Sequence, residues 1–97
     1  MAKVVVAAAL ARWLASPSGK GSGEVALTAA GSTVRAVLDE VFVHHPALRG
    51  YLLDDQGALR HHVAIFVDGV AVTDKQHLAT PVAAHSEIYL LQALSGG

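Results

Sequence analysis

The chain contains no cysteine. This absence excludes disulfide bonds, thiolate metal sites and a cysteine nucleophile within the chain. It is compatible with a reducing compartment, and we therefore expect a cytoplasmic protein.

Excess charge and long apolar runs are also lacking. The formal net charge is −1 over 97 residues, so no basic field directs the protein to nucleic acid. No apolar run approaches the roughly 20 residues of a membrane span. Arg12 interrupts the apolar run after Lys3, which argues against a signal peptide. We expect a single domain over residues 1–97, with neither nucleic acid nor membrane as a partner.

The six histidines lack the spacing of a metal site. His44-His45 and His61-His62 are adjacent pairs, and neighbouring side chains on a helix or strand point in different directions. No His-x₃-His pair shares a helical face, and no carboxylate cluster joins these residues. We therefore predict structural or surface histidines and no metal.

Catalytic constellations are lacking as well. Asp54-Asp55 is typical of a solvated loop. Ser95 stands outside any Gly-x-Ser-x-Gly context and has no evident base. The sequence therefore does not indicate an enzyme.

What the chain does contain is one strong helical pattern. Ser32 or Thr33 can cap the helix, because a hydroxyl accepts a hydrogen bond from an unpaired N–H of the first turn. Apolar residues then recur at i, i+3, i+4, i+7 and i+8. Pro46 is predicted to end the helix after His44-His45. The apolar stripe consists of Val34, Val37, Leu38, Val41 and Phe42.

Short strands are predicted on both sides of this helix. Residues 24–28, 62–67 and 86–91 are predicted strands, because apolar residues recur on one face of each with a period of two. Asp68-Gly69 is a strong tight-turn pair, after which residues 70–72 return as a second hairpin arm.

Two stretches are less clear. Within residues 3–14, Val4-Val5-Val6 favours a strand, whereas the alanines that follow favour a helix. Residues 47–60 are expected to be irregular. The element order predicts an α+β fold, a mixed sheet packed on one main helix, with the last strand beside the first because the crossover is right-handed.

The chain ends in Leu94-Ser95-Gly96-Gly97, directly after the last predicted strand. Glycine has no Cβ and suits a backbone that passes close to another surface. Four extended residues reach at most roughly 13 Å. The plain alternative is a frayed terminus without function.

With the strand and turn of residues 63–69, the segment of residues 85–91 and this tail, the chain resembles the MoaD/ThiS family of ubiquitin-like β-grasp sulfur carriers. The resemblance extends over essentially the whole chain. The long connection of residues 47–61 is closer to the larger MoaD and cysteine-biosynthesis carriers than to the thiamine carriers. The resemblance implies a ubiquitin-like β-grasp domain with a flexible C-terminal tail, residues 94–97.

The resemblance also implies chemistry at the tail. Gly97 would be adenylated by an E1-like activating enzyme that uses ATP and then converted to a thiocarboxylate, with Gly96 as the second glycine. A sulfur-accepting synthase subunit would be the second partner. The chain would be a protein co-substrate rather than an enzyme, without a bound cofactor.

A docking face follows from the strand pattern. Phe66, Tyr89 and Leu91 are predicted to share the sheet face opposite the helix and, with Leu94 and Ser95, to contact the partner. Two other functions stay open: the small subunit of molybdopterin synthase, and a β-grasp interaction module without tail chemistry. The receiving pathway, whether molybdopterin, cysteine or thiamine biosynthesis, is also open.

Overall fold

The computed structural model describes residues 1–14 and 24–92, whose strands form a five-stranded mixed sheet. The strands are β1 (Ala2–Val6), β2 (Val25–Ala29), β3 (Val63–Val67), β4 (Val70–Ala71) and β5 (Glu87–Gln92). The helices are α1 (Ala8–Ala11), α2 (Val34–His44) and α3 (Pro46–Leu52).

The sheet has the strand order β2-β1-β5-β3-β4. β5 pairs in parallel with β1 and antiparallel with β3. β1 pairs antiparallel with β2, and β3 with β4. The predicted α+β fold, with the last strand beside the first, is therefore confirmed.

The ambiguous N-terminal stretch contains both predicted structures in succession. β1 ends at Val6, and α1 begins at Ala8. Ala7 lies between them in an extended conformation and donates its N–H to the carbonyl of Leu90 at 3.0 Å. The β-branched residues thus form the strand and the alanines form the helix, as their separate propensities favour.

The main helix, α2, begins as predicted. The Thr33 hydroxyl accepts a hydrogen bond from the Ala36 N–H at 3.1 Å and caps the first turn. All five stripe residues are buried. The helix ends at His44, before Pro46.

The prediction for residues 47–60 was wrong in its first part, because residues 46–52 form α3. Pro46 occupies the first turn of this helix, where its missing N–H would have no intrahelical partner. Leu48 and Leu52, four residues apart, are both buried. The proline therefore ends one helix and begins the next.

The loops that follow are tied to α2 by Arg35. Its Nη2 donates to the Gly57 carbonyl at 2.8 Å and to the Gln76 carbonyl at 3.3 Å, and its Nε donates to the His77 carbonyl at 3.3 Å. Arg35 thus fastens two separate loops to the first turns of the helix.

The hairpin of β3 and β4 turns at Asp68-Gly69, as predicted. Both residues have positive φ, 50° and 85°, which matches a two-residue turn whose twist suits antiparallel strands. The Asp68 carboxylate also accepts the Glu87 N–H at 2.9 Å. The turn is thereby joined to the start of β5.

The core lies between α2 and one face of the sheet, called here the inner face. The helix stripe packs in one cluster with inner-face residues of the strands. The predicted inner-face set is confirmed: Val63, Ile65, Val67, Ile88 and Leu90.

We expect Leu38→Ala to lower the free energy of unfolding by about 2–5 kcal/mol, because Leu38 is fully buried and its truncation leaves a cavity. Urea denaturation followed by circular dichroism measures this change. Val43→Ala, on the same helix at 74% exposure, is the matched control and should change stability little. Equal stabilities of the two variants would contradict this description of the core.

Candidate docking face

The sheet face opposite α2, called here the outer face, carries the three residues predicted from the strand pattern. Phe66 on β3 stands directly opposite Tyr89 on β5. Leu91 lies two residues further along β5, opposite Ala64. All four side chains are half-buried, and none of them belongs to the core cluster. The structure therefore brings Phe66, Tyr89 and Leu91 onto one face.

The strand registers extend the Phe66–Tyr89 pair into a row across the whole sheet. Tyr89 also pairs with Val5 on β1, which pairs with Ala26 on β2, while Phe66 pairs with Ala71 on β4. Val5 lies between the inward Val4 and Val6, so its side chain belongs to the outer face, yet only 3% of its surface is exposed. The docking face is defined as Ala26, Val5, Tyr89, Phe66 and Ala71, together with Ala64 and Leu91.

Polar groups border this face on one side. Lys3 and Glu87 are cross-strand partners that stand two residues before Val5 and Tyr89 on their strands, and Lys3 Nζ lies 3.4 Å from Glu87 Oε2. Both side chains are solvent-accessible, so the ion pair contributes little to stability. An apolar patch with a charged rim is the pattern of a protein–protein interface.

The predicted tail residues Leu94, Ser95, Gly96 and Gly97 lie outside the described residues. The description of β5 ends at Gln92, which pairs with Val63 at the start of β3. Leu91, the neighbour of Gln92, belongs to the docking face. The docking face therefore extends to the end of the strand from which the tail continues.

An aromatic cluster that the sequence did not predict stands at the end of the sheet where β5 ends. The rings of Trp13 and Tyr51 stack with centroids 4.9 Å apart, and the His62 ring meets Tyr51 edge-on at 4.6 Å. The residues come from three separate segments, so no spacing rule connects them. The one available signal is the presence of a single tryptophan in the chain.

The histidines and acidic residues have mainly structural surroundings. Within residues 1–14 and 24–92, no group of three His, Cys, Asp or Glu could hold a metal ion. Burial and the neighbouring His44 lower the pKa of His45. Backbone N–H groups of Ala58 and Gln56 lower the pKa of Asp54, whose carboxylate orders its own loop. No described helix is long and apolar enough to cross a membrane.

A family model, the ThiS family, matches residues 14–97 of the chain. SAMP1 from Haloferax volcanii, in a crystal structure, is 30% identical over 99% of this chain and 98% of that chain, with a TM-score of 0.71. CysO from Mycobacterium tuberculosis, described as an antigen, is 26% identical over 94% of this chain and 99% of that chain, with a TM-score of 0.69.

A third structure, the BexX/CysO complex of Amycolatopsis orientalis, matches over 97% of this chain and 99% of that chain. Its TM-score is 0.72 and its identity 24%, so this likeness concerns the fold alone. No curated protein matches the chain significantly. Together the matches establish the ubiquitin-like β-grasp fold that the resemblance implied.

We expect Phe66→Ala to weaken binding of an E1-like activating enzyme about tenfold or more, because aromatic anchors dominate the energy of such interfaces. Isothermal titration calorimetry measures the dissociation constant, and circular dichroism checks that the fold is retained. Val70→Ala is the matched control, since Val70 is an exposed apolar residue on the neighbouring strand β4. Unchanged affinity for Phe66→Ala, Tyr89→Ala and Leu91→Ala alike would rule out this face.

Proposed function

The chain belongs to the ThiS family, and from this premise we propose that it is a sulfur carrier whose Gly97 is adenylated and then converted to a thiocarboxylate. The chain itself is then a protein co-substrate and not an enzyme. ATP is consumed by an E1-like activating enzyme, and this chain needs no bound cofactor. The reaction belongs to the cytoplasm, where ATP and reduced sulfur are available together.

The observation that carries the proposal is the continuity of the docking face with the tail. Tyr89 and Leu91 lie on the outer face of β5, and residues 93–97 follow this strand directly in the sequence. Five extended residues reach at most roughly 17 Å. A partner seated on the docking face would therefore have its surface within reach of the Gly97 carboxylate.

The rigidity of β5 supports this role. The strand pairs along its length with β1 on one side and β3 on the other. Its inner-face residues Ile88 and Leu90 are fully buried. The tail therefore starts from a point that the fold holds in place, which favours accurate delivery of its tip.

The chemistry explains why the chain needs no catalytic group. A carboxylate is a poor electrophile, so the activating enzyme transfers AMP from ATP to the Gly97 carboxylate and releases pyrophosphate. A hydrosulfide-level sulfur donor then attacks the acyl carbon, AMP departs, and a thiocarboxylate remains. The carrier contributes the reach of its tail, a narrow glycine backbone and a docking surface.

The sulfur-accepting partner is a synthase subunit, and the pathway is one of cofactor or cysteine biosynthesis. The 26% identity to CysO from Mycobacterium tuberculosis favours the cysteine branch. Service as the small subunit of molybdopterin synthase is a variant of the same role, because the same tail would enter a larger catalytic subunit. A β-grasp interaction module would leave the tail without chemistry.

A second candidate function is protein modification. It is favoured by the 30% identity to SAMP1, a protein that another crystal structure names small archaeal modifier protein 1. In that case activated Gly97 would form an amide bond with a lysine amine. Adenylation is common to both candidates, so the product after adenylation distinguishes them.

The test is to incubate residues 1–97 with a candidate activating enzyme, ATP and a sulfide donor, and to record the intact mass. We expect one terminal oxygen to be replaced by sulfur, with the change located at Gly97 by fragmentation. A Gly97–lysine linkage in cells would instead support the modifier role. Absence of both products with every activating enzyme encoded by the source genome would contradict the proposal.

Tail variants serve as matched controls in this assay. Deleting Gly97 shortens the reach by roughly 3.5 Å, and a misplacement of about 1 Å already costs on the order of a hundredfold in rate. Gly96→Val places a β-branched side chain where the channel should admit only backbone. Both variants should lose thiocarboxylation while keeping the wild-type fold. Wild-type rates for both would point to a module without tail chemistry.

A further inference from the structure

The aromatic cluster of Trp13, Tyr51 and His62 is called here the tail collar. Trp13 and Tyr51 pack against the core from outside, and each is half-buried. The Nε2–H of His62 donates to the Tyr51 carbonyl at 3.2 Å, since a carbonyl oxygen only accepts. The ring contacts and this hydrogen bond join α3 to the residue before β3 and to the segment after α1.

The strand directions place the collar at the end of the sheet where the tail begins. β1 runs parallel to β5, so the α1 segment that follows β1 stands beside the end of β5, and the Ala7 N–H donates to the Leu90 carbonyl. β3 runs antiparallel to β5, so His62 directly precedes Val63, the partner of Gln92. Trp13 follows α1 by two residues.

The collar and the docking face stand on different sides of the sheet. Trp13 and Tyr51 pack against the core cluster, which contains inner-face residues. The docking face lies on the outer side of the same strands. A partner that binds at the C-terminal end of β5 would therefore meet apolar surface on both sides of the sheet.

A chemical requirement identifies the partner that needs this collar. Before activation, the tail ends in an ordinary carboxylate, a group that every protein chain carries. An activating enzyme must therefore select its carrier by the folded surface within reach of the tail. A sulfur acceptor, in contrast, meets a thiocarboxylate, which is itself distinctive.

We propose that the tail collar is a recognition surface for the activating enzyme and contacts the rim of the channel that admits Gly97. This inference rests on the proposed function. Tyrosine and tryptophan are the residue types in which interface energy is concentrated. The exposed Arg12, which directly precedes Trp13 in the sequence, favours a channel rim that carries a carboxylate beside an apolar pocket.

The test compares Trp13→Ala with the wild type in ATP–pyrophosphate exchange, using an enzyme that adenylates wild-type Gly97. We expect KM for the carrier to rise about tenfold or more with kcat unchanged, because the collar contacts the enzyme but not the reacting atoms. Trp13→Phe, which keeps a ring to stack on Tyr51, should recover most of the affinity. Val70→Ala is the matched control, since Val70 follows the turn at the opposite end of the sheet.

A second measurement does not depend on how the variant folds. Trp13 is the single tryptophan, so the chain labelled with 5-fluorotryptophan gives one fluorine resonance. We expect its chemical shift to change when unlabelled activating enzyme is added. An unchanged shift in the bound carrier would overturn the proposal, as would wild-type KM for Trp13→Ala.

Three further outcomes separate a failure of this inference from a failure of the proposed function. If Trp13→Ala is activated normally but transfers sulfur slowly to the synthase subunit, the collar serves the acceptor and our assignment is wrong. If the wild type is not adenylated at all, the proposed function is wrong, and the proposed role of the collar is wrong as well. Normal activation of the wild type and of all collar variants would contradict the role of the collar and leave the proposed function intact.

Discussion

The parallel pairing of β5 with β1 is the constraint on which the rest of the structure depends. It puts the last strand in the middle of the sheet, although its neighbours β1 and β3 are far from it in sequence. Once β5 is central, its inner residues are covered by α2 and its outer residues become the middle of the docking face. The same pairing places the C-terminal end of β5 at one end of the sheet. α1, α3 and the start of β3 lie at this end.

The two-residue periodicity of β5 lets six residues perform two tasks. Ile88 and Leu90 are buried against the helix, while Tyr89 and Leu91 stand on the opposite face. A slip of one residue would exchange these two sets. The buried inner residues and the Asp68 carboxylate that accepts the Glu87 N–H both oppose such a slip. The stability of the core and the position of the tail therefore depend on the same register.

Much of the fold could be predicted because its signals are local. The stripe of α2, the Asp68-Gly69 turn and the alternation of β5 each lie within one short segment, and the structure confirms all three. α3 was missed because Pro46 is a stop signal for the helix before it and equally suits the first turn of a new one.

The same difference between local signals and contacts of distant segments decides which residues of the candidate site could be predicted. Phe66, Tyr89 and Leu91 could be placed on one face because strand alternation determines their direction, although their role in binding stays a prediction. The tail collar could not be foreseen, because Trp13, Tyr51 and His62 meet only through the packing of three separate segments. Arg35 likewise contacts loops far away in sequence. Gly96 and Gly97 were assigned by resemblance, and they lie outside the described residues.

The central claim is that a partner binds the outer face of the sheet while it takes up the tail. Cross-saturation NMR tests this directly, because saturation passes from a protonated activating enzyme only to methyl groups of the deuterated carrier that it touches. The account predicts that the Ala64, Ala71 and Leu91 methyl signals lose intensity, while the Val43 methyl signals on α2 do not. Loss of intensity confined to Val43 and its neighbours, with the outer-face methyl signals unchanged, would contradict the account.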